Sequence, residues 1–368
     1  MIAPGLLLPT RLLRQPQTCA SLSMREWDLL IRQARSGGVL ARVAAVLTAA
    51  GVLDAVPARP RAHLVSAATV ASQHRASATY EIDAIARALS STRVAPILLK
   101  GAAYHAAGLD AAHGRQFADV DILVPAARMG DVESALIRSG WQSLHHDAYT
   151  ERYYRRWMHE LPPMRHLRRG TSLDVHHTIL PPTAGRRLNA DKLIDGAVTA
   201  PQMPAVKVLA PVDMVLHSMT HLFYDGELEH GFRDLVDLDS LLRQFGAQSP
   251  GFWPSLAPRA KELDLERPLY YGLRYVAAFM GTVIPPPVLD AVEGPPMAVR
   301  SWLDALFLRA LCPAHASCSD SLTSTARRLL YVRAHWLRMP AHLLAYHLAR
   351  KALVREPDVA DEAAVPAP

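Results

Sequence analysis

Cysteine is scarce in this sequence, and long hydrophobic runs are missing from it. The 368 residues include only three cysteines, Cys19, Cys312 and Cys318, which cannot all pair and do not form the two close pairs of a structural zinc site. This usage predicts a reducing, cytoplasmic location. The longest uncharged stretches, such as 275–289, fall short of the roughly 20 apolar residues that a transmembrane helix needs. The sequence therefore predicts no transmembrane helix.

Several common catalytic signatures are also missing. The chain has no Gly-x4-Gly-Lys-Ser/Thr loop, no dinucleotide-binding glycine fingerprint and no Gly-x-Ser-x-Gly elbow, so P-loop kinases, dehydrogenases and serine hydrolases lose their usual support. His217 and His221 have the spacing of zinc-protease ligands, but no glutamate base lies between them. We expect instead that these histidines join Arg233, Asp234 and Asp237 in a buried polar contact between two helices.

The net charge is small, but the basic residues are unevenly distributed. Forty Lys and Arg against 34 Asp and Glu give a formal charge of +6, which does not indicate a nucleic-acid partner. Arginines and aromatic residues alternate within 152–169, and they would either guide an anionic acceptor or a nucleic acid or form a solvated basic face. Residues 321–355 contain no acid, and they would either contact an anionic membrane surface or pack on the core.

Composition and periodicity divide the chain into five parts. Half of the residues are hydrophobic, which indicates a globular protein. We expect a disordered tail over 1–23, a helical region over 24–92, an α/β core over 93–200, a helical domain over 201–355 and a disordered acidic tail over 356–368.

The 93–200 part alternates strand and helix patterns. In the helical region before it, the apolar spacing predicts helices over 24–34 and 39–49 and then two more, the second over 77–89. After it, strong helices are predicted over 212–223 and 229–245. Within it, we predict a helix over 129–139 and strands over 97–99, 120–124, 141–144, 149–158 and 172–179.

Two carboxylates alternate with apolar residues at the start of one predicted strand. Asp119 and Asp121 lie two apart, so they share one face of the strand, about 7 Å apart at their Cα atoms. Asp174 lies among hydrophobic residues on a later strand. Burying such acids is costly unless a cation compensates them, so we predict a two-metal site. Other acid-x-acid triplets, 131–133, 227–229 and 237–239, fall on helical patterns and are interpreted as solvated faces.

The order of these motifs resembles a known family. Leu99-Lys100-Gly101-Ala102, then Arg115, then Asp119-Val120-Asp121, and finally Asp174-Val175-His176 together resemble the polymerase-β-type nucleotidyltransferase superfamily, and within it the bacterial branch of uncharacterised nucleotidyltransferases. The resemblance implies an α+β fold with a small mixed-sheet core flanked by N-terminal and C-terminal helical regions. It implies transfer of a nucleoside monophosphate from an NTP, with ATP as the expected donor, and release of pyrophosphate.

The resemblance also assigns the metal ligands. It implies that Asp119 and Asp121 hold two Mg²⁺ ions, with Mn²⁺ as an alternative, against the triphosphate. Asp174 would complete the catalytic metal site and favour deprotonation of the acceptor. All three are therefore expected to be both metal-binding and catalytic.

Five further residues are expected to bind the nucleotide. Gly101 and Ala102 would open a helix whose backbone N–H groups face the phosphates, although the superfamily has Gly or Ser where Ala102 stands. Lys100 would supply the charge instead, or else be a solvated lysine at a strand end. Arg115 would neutralise phosphate or form a salt bridge to Asp119 or Asp121. His176 would contact metal or phosphate, or pack in the core.

The acceptor is not specified by these motifs. A small molecule, a peptide or a protein is expected, and a nucleic acid is not, because the basic excess is small and no nucleic-acid module flanks the core. The alternative function is a non-catalytic nucleotide-binding or assembly protein on the same fold. Retention of three carboxylates argues against it, because an acid cluster without metal would destabilise the core.

Overall fold

The N-terminal flank of the protein is helical. The computed structural model describes residue 5 and residues 7–117, 119–144, 158–185, 188–224, 226 and 228–340. The first helices are α1 (Leu8–Arg14), α2 (Met24–Ser36), α3 (Leu40–Ala49) and α4 (Ala58–Leu89). A capping box begins α2: the Ser23 hydroxyl accepts from the Glu26 N–H, and the Glu26 carboxylate accepts from the Ser23 N–H. Trp27 and Leu30 on this helix are fully buried, as their spacing predicts.

The expected disordered tail over 1–23 is wrong for the part that the structure describes. Residues 8–14 form α1, and Pro16–Ser21 form a 3₁₀ helix. Leu7 and Leu12 are 1% and 2% exposed. Pro9 and Pro16 lie in the first turns of these two helices, where a missing N–H costs nothing. The buried side chains of Leu7 and Leu12 attach the segment to the core.

Helix α4 also differs from the prediction. Two helices were expected between residues 49 and 93, but α4 is one continuous helix of 32 residues. Its sequence has no glycine and no proline after Pro60, so no residue ends it. The second predicted helix, over 77–89, is the C-terminal part of this helix.

A mixed sheet follows the N-terminal flank. Its strands are β1 (Ile97–Leu98), β2 (Asp119–Leu123), β3 (Trp141–Ser143), β4 (Met164–His166), β5 (Ser172–His176), β6 (Val198–Thr199) and β7 (Lys207–Val208). Helices α5 (Lys100–Ala106), α6 (Met129–Arg138) and α7 (Asp191–Asp195) lie between them. Among the described residues, the strand order is β3-β4-β5-β2-β1-β7-β6, with β2 parallel to β5 and β1 parallel to β7.

Strand β2 occupies the centre of this sheet. It pairs with β1 on one side and with β5 on the other, and Ile122, Leu123 and Val124 are completely buried. The sheet continues past residue 200, where we placed the end of the core, because β7 completes it beside β1. The strand predicted over 149–158 lies, apart from its last residue, outside the described residues.

The C-terminal flank is again helical. It consists of α8 (Pro211–Tyr224), α9 (Gly231–Gln248), α10 (Phe252–Glu262), α11 (Glu266–Met280), α12 (Pro286–Asp290), α13 (Met297–Ala310) and α14 (Thr323–Arg338). Helices α8, α9 and α11 pack against one another. Helix α9 also packs on the short 3₁₀ helix Asp110–Ala112 of the core, which brings it close to the start of β2. The predicted α+β fold with helical flanks is confirmed.

None of the helices in the part of the chain that the structure describes is long and apolar enough to cross a membrane. The acidic tail predicted over 356–368 lies outside that part.

Candidate functional site

Three carboxylates meet at one end of the central strands. In the parallel pair formed by β2 and β5, Asp121 lies directly opposite Asp174, and Asp119 lies opposite Ser172. One oxygen from each of Asp119, Asp121 and Asp174 lies within 4.8 Å of the others. The structure therefore brings together all three acids that the sequence singled out.

Two cationic groups hold the central carboxylate. The Lys100 ammonium donates to Asp121 Oδ1 at 2.8 Å, and His176 Nε2 lies 3.2 Å from the same oxygen. Burial alone would raise the pKa of Asp121, but Lys100 and His176 outweigh it and hold that pKa far below its usual range. Asp121 is therefore ionised over the whole physiological pH range.

His176 lies behind Asp121, in the interior of the protein. Its side chain is 7% exposed, and its Nδ1 atom lies 3.3 Å from Glu160 Oε2. Burial lowers the pKa of His176, but Asp121 and Glu160 raise it more, so the two carboxylates favour the protonated imidazole. The His159 ring stacks on it, with the centroids 5.2 Å apart. The His176 ring thus orients Asp121.

At the two other carboxylates, burial and repulsion outweigh the nearby cations. Burial, followed by repulsion from Asp121 and Glu160, raises the pKa of Asp174 to about 7. Asp119 reaches solvent, yet partial burial and repulsion from Asp121 raise its pKa as well. Negative charge therefore accumulates where these side chains meet.

The donor set fits divalent cations. Oxygen ligands lie about 2.0–2.1 Å from Mg²⁺, and paired catalytic ions lie about 3.5–4 Å apart. Three carboxylate oxygens within 4.8 Å of one another can span such a pair. A bound cation would also relieve the repulsion that raises the pKa of Asp174.

The turn that carries Lys100 is tightly built. Lys100 itself has a left-handed φ of 48°, an uncommon conformation for a residue with a side chain, and it begins α5. A Cβ atom on Gly101 would lie 2.5 Å from Arg115 Nε and 3.2 Å from the Phe117 ring. Glycine is therefore required here for the close approach of the segment that leads into β2.

A cleft opens in front of the carboxylates. Its volume is about 230 Å³. The core side is formed by Asp119 and Asp121 of β2, by the start of α5 and by the segment before β2. The opposite side comes from the C-terminal flank: Ser218, His221, His230, Arg233, Asp234 and Asp237. The predicted nucleotide-binding residues Lys100, Gly101, Ala102 and Arg115 also line the cleft, whereas His176 lies behind it.

One of the two interpretations of Arg115, a salt bridge to Asp119 or Asp121, is wrong. Its guanidinium forms an ion pair with Asp237 of α9, and not with Asp119 or Asp121. Asp237 also accepts from Arg42 of α3 at 3.0 Å, and both arginines are buried. This network joins the N-terminal flank, the core and the C-terminal flank beside the cleft.

The solvated face predicted for the acids of 237–239 is wrong, whereas the buried position also expected for Asp237 is correct. Asp237 and Asp239 are 3% and 9% exposed. Asp239 accepts hydrogen bonds from Thr282 and Arg243. Helical spacing places Asp237 three residues after Asp234 on the same side of α9, and this spacing was the signal for a shared polar face. The sequence showed neither the distant arginine Arg42 nor the role of Glu160.

Part of the basic stretch over 152–169 lies outside the described residues, including Arg152, Arg155 and Arg156. Of the described part, Arg169 donates to Glu81 of α4 at 2.6 Å and lies over the Trp141 ring. Arg169 therefore has a structural role.

Comparison with known proteins identifies the family. A family profile described as uncharacterised nucleotidyltransferase matches residues 23–281. The chain belongs to this family. The match extends over β1, β2 and β5, over both walls of the cleft and through α11, and it supports nucleotidyl transfer as the general activity. No curated protein and no solved structure matches the chain. The predicted resemblance to the uncharacterised nucleotidyltransferases is thus confirmed.

Proposed function

We propose that the protein transfers a nucleoside monophosphate from an NTP, with ATP as the expected donor, to a small-molecule, peptide or protein acceptor. Two Mg²⁺ ions, with Mn²⁺ as an alternative, bind to Asp119, Asp121 and Asp174. The observation that carries this proposal is the meeting of these three carboxylates within 4.8 Å of one another, where Asp119 and Asp121 line a cleft.

The charges around the cleft support a triphosphate substrate. Lys100 lies beside Asp121, and Arg115 and Arg233 also line the cavity. Basic side chains attract the phosphate oxygens, while carboxylates repel them unless a cation lies between. The combination of three acids with a basic wall is therefore suited to a metal–triphosphate complex.

The proposed reaction is an in-line phosphoryl transfer. The acceptor oxygen forms a bond to the α-phosphorus, the bond from that phosphorus to the bridging oxygen breaks, and pyrophosphate leaves. The acceptor proton passes to water, a loss that the Asp174 carboxylate favours. When bound, the metal ions supply electrostatic stabilisation of the negative charge that develops on the phosphates.

The residues of the chain position these groups. Lys100 and His176 fix the Asp121 carboxylate from two sides, so that it does not rotate away from the metal ion. The backbone pairing of β2 with β5 sets the spacing between Asp121 and Asp174. Rigid placement of charge is the main contribution a protein makes to this class of reaction.

A non-catalytic nucleotide-binding protein is the alternative function. It would retain nucleotide binding but release no pyrophosphate with any acceptor. The raised pKa of Asp174 shows that the acid cluster is electrostatically unfavourable without a cation, which favours a site maintained for metal.

The test combines binding with labelling. Thermal unfolding is measured with Mg²⁺ alone, with a non-hydrolysable ATP analogue alone and with both, and we expect the largest rise in melting temperature with both. The protein is then incubated with each α-phosphate-labelled NTP and cell extract, and the labelled acceptor is identified by mass spectrometry. Release of pyrophosphate is measured in parallel.

Three variants make this test specific. Asp121→Asn and Asp174→Asn should abolish both the Mg²⁺-dependent shift and the labelling. Asp195→Asn, at an exposed acid of α7, is the matched control and should behave like the wild type. If the Asp121 and Asp174 variants keep metal-dependent nucleotide binding, the site assignment is wrong. Binding without labelling or pyrophosphate release would favour the non-catalytic alternative.

A further inference from the structure

The side of the cleft that faces the carboxylates belongs to the C-terminal flank. Helix α9 contributes Arg233, Asp234 and Asp237 to it, and α8 contributes Ser218 and His221. The core motifs do not include these residues. The helical flank therefore supplies one wall of the cleft, in addition to its packing role.

The ion-pair network that this wall forms with the core and the N-terminal flank has more cations than anions. Three guanidinium groups, those of Arg42, Arg115 and Arg233, share the two carboxylates of Asp234 and Asp237. One positive charge is therefore left without a compensating carboxylate within this network. Arg115 and Arg233 line the cleft, so an anionic group that enters it would meet this excess.

The side chains of the three arginines differ in how far they are exposed to a ligand in the cleft. Arg42 and Arg115 are 7% and 9% exposed, and both are paired with Asp237. Arg42 also donates to the backbone carbonyls of Asp110 and Ala111. Arg233 is 23% exposed, which is the highest value of the three. Only its guanidinium combines contact with the cleft and substantial exposure.

Arg233 also retains hydrogen-bond donors. Its contacts with Asp234 use Nε and Nη2, both about 3.0 Å from Oδ1, while Nη1 contacts no acceptor among the residues that the structure describes. A guanidinium has five N–H donors in a planar fork, so the group can hold Asp234 on one edge and a phosphate on the other.

The turn at Gly38 restricts the position of the Arg233 side chain. Gly38, in the turn between α2 and α3, has a φ of 68°, and a Cβ atom there would lie 3.6 Å from Arg233 Cδ. The turn therefore packs against the aliphatic part of the arginine. Asp234 holds the guanidinium at the other end. Such a constrained arginine loses little conformational entropy when it binds a ligand.

We infer that Arg233 binds the terminal phosphates of the nucleotide and thereby selects a nucleoside triphosphate over a monophosphate. This inference rests on the proposed function. With the α-phosphate at the carboxylates, the β- and γ-phosphates extend across the cleft towards Arg233. Asp234 orients the guanidinium, and Asp237 with Arg42 holds Arg115 beside it.

The experiment compares two nucleotides. Affinities for an α,β-methylene analogue of ATP and for AMP are measured by calorimetry at fixed Mg²⁺ and fixed ionic strength. Removal of a charged hydrogen-bond donor in Arg233→Gln should weaken analogue binding by about tenfold or more, while AMP binding stays within about twofold. Arg233→Lys keeps the charge but loses the fork, so its affinity should fall between those of the wild type and Arg233→Gln.

Arg243→Gln is the matched control. Arg243 lies on the same helix, and it also pairs with an acid of α9, Asp239, but it does not line the cleft. Its analogue affinity should equal that of the wild type. Thermal unfolding verifies that each variant is folded.

The outcomes separate the two proposals. If Arg233→Gln binds the analogue as the wild type does, or if its affinities for the analogue and AMP fall equally, the inference about Arg233 is overturned and the proposed function stands. If the wild type binds no analogue in the presence of Mg²⁺, the proposed function itself fails.

Discussion

Asp121 and Asp174 lie opposite each other across the parallel strands β2 and β5, and their pKa values move in opposite directions. Lys100 and His176 keep Asp121 ionised, whereas burial and the charge of Asp121 raise the pKa of Asp174 to about 7. Half of the Asp174 side chains are thus protonated near neutral pH without a cation. A proton and a metal ion would compete for this carboxylate.

This competition predicts a pH-dependent affinity for Mg²⁺. Because Asp174 is neutral below its raised pKa of about 7, metal binding must displace its proton there. The affinity should therefore fall as the pH decreases from 8 to 6, and it should approach a tenfold loss per pH unit below the pKa. Calorimetric titration with Mg²⁺ at pH 6, 7 and 8 measures this. A wild-type affinity that does not change with pH would contradict the assignment of Asp174 as a ligand.

The buried network beside the cleft predicts a large loss of stability on its disruption. Asp237→Ala leaves Arg42 and Arg115 buried without their shared carboxylate, so the free energy of unfolding should fall by about 3–5 kcal/mol. Urea unfolding measures the change. Asp28→Ala removes the acid of an exposed pair with Arg32, whose side chains are 56% and 64% exposed, and it should cost less than about 1 kcal/mol. Equal effects of the two substitutions would show that the network is not structural.

A methyl group at Gly101 should disturb the start of α5. In Gly101→Ala, the new Cβ would collide with the Arg115 side chain, and overpacking of this kind costs about 1–3 kcal/mol. We expect a lower melting temperature and weaker binding of the ATP analogue. Gly130→Ala on α6 is the control, because a Cβ atom there meets no atom within 4 Å. A Gly101→Ala protein with wild-type stability and binding would refute the close packing of this turn.

Residues 321–355 would either contact an anionic membrane or pack on the core. The structure describes this stretch up to residue 340, including α14, and the membrane alternative can be tested there. Leu322, Leu329, Val332 and Trp336 are 42–65% exposed, and their spacing places them on one side of α14. If this side contacts an anionic membrane, the protein should co-sediment with vesicles of anionic lipid and not with neutral ones.

The double variant Val332→Ser, Trp336→Ser should reduce this co-sedimentation. The control is Val65→Ser, which removes an exposed apolar side chain from α4, far along the chain from α14. Equal recovery with both kinds of vesicle, or no recovery with either, would count against the membrane contact.

Local patterns predicted much of the fold. The helical spacing identified α2, α3, α8 and α9, and the apolar runs located β1, β2 and β5. The predictions of secondary structure failed where the sequence pattern was compatible with more than one structure. Prolines in the first turn of a helix look the same in a sequence as prolines in a loop. The apolar spacing did not show that the region of two expected helices forms the single helix α4.

The sequence predicted the acids of the candidate site but not all of their surroundings. The acids of β2 and β5 stood out because carboxylates are unusual within apolar strands. The partners of Arg115 could not be predicted, because Asp237 lies more than 100 residues along the chain and belongs to another part of the fold. Glu160 had no local pattern of its own, and only its contact with His176 revealed it.

The sequence by itself determined that Asp119 and Asp121 share one face of a strand, since side chains alternate along a strand regardless of its surroundings. Only the tertiary structure decided that Asp174 stands opposite Asp121, because the pairing register of distant strands depends on how the whole core packs. It also decided that α9 forms the second wall of the cleft. The contacts of Asp237 with Arg42 and Arg115 join three separate segments of the chain, and such long-range contacts arise only when the chain has folded.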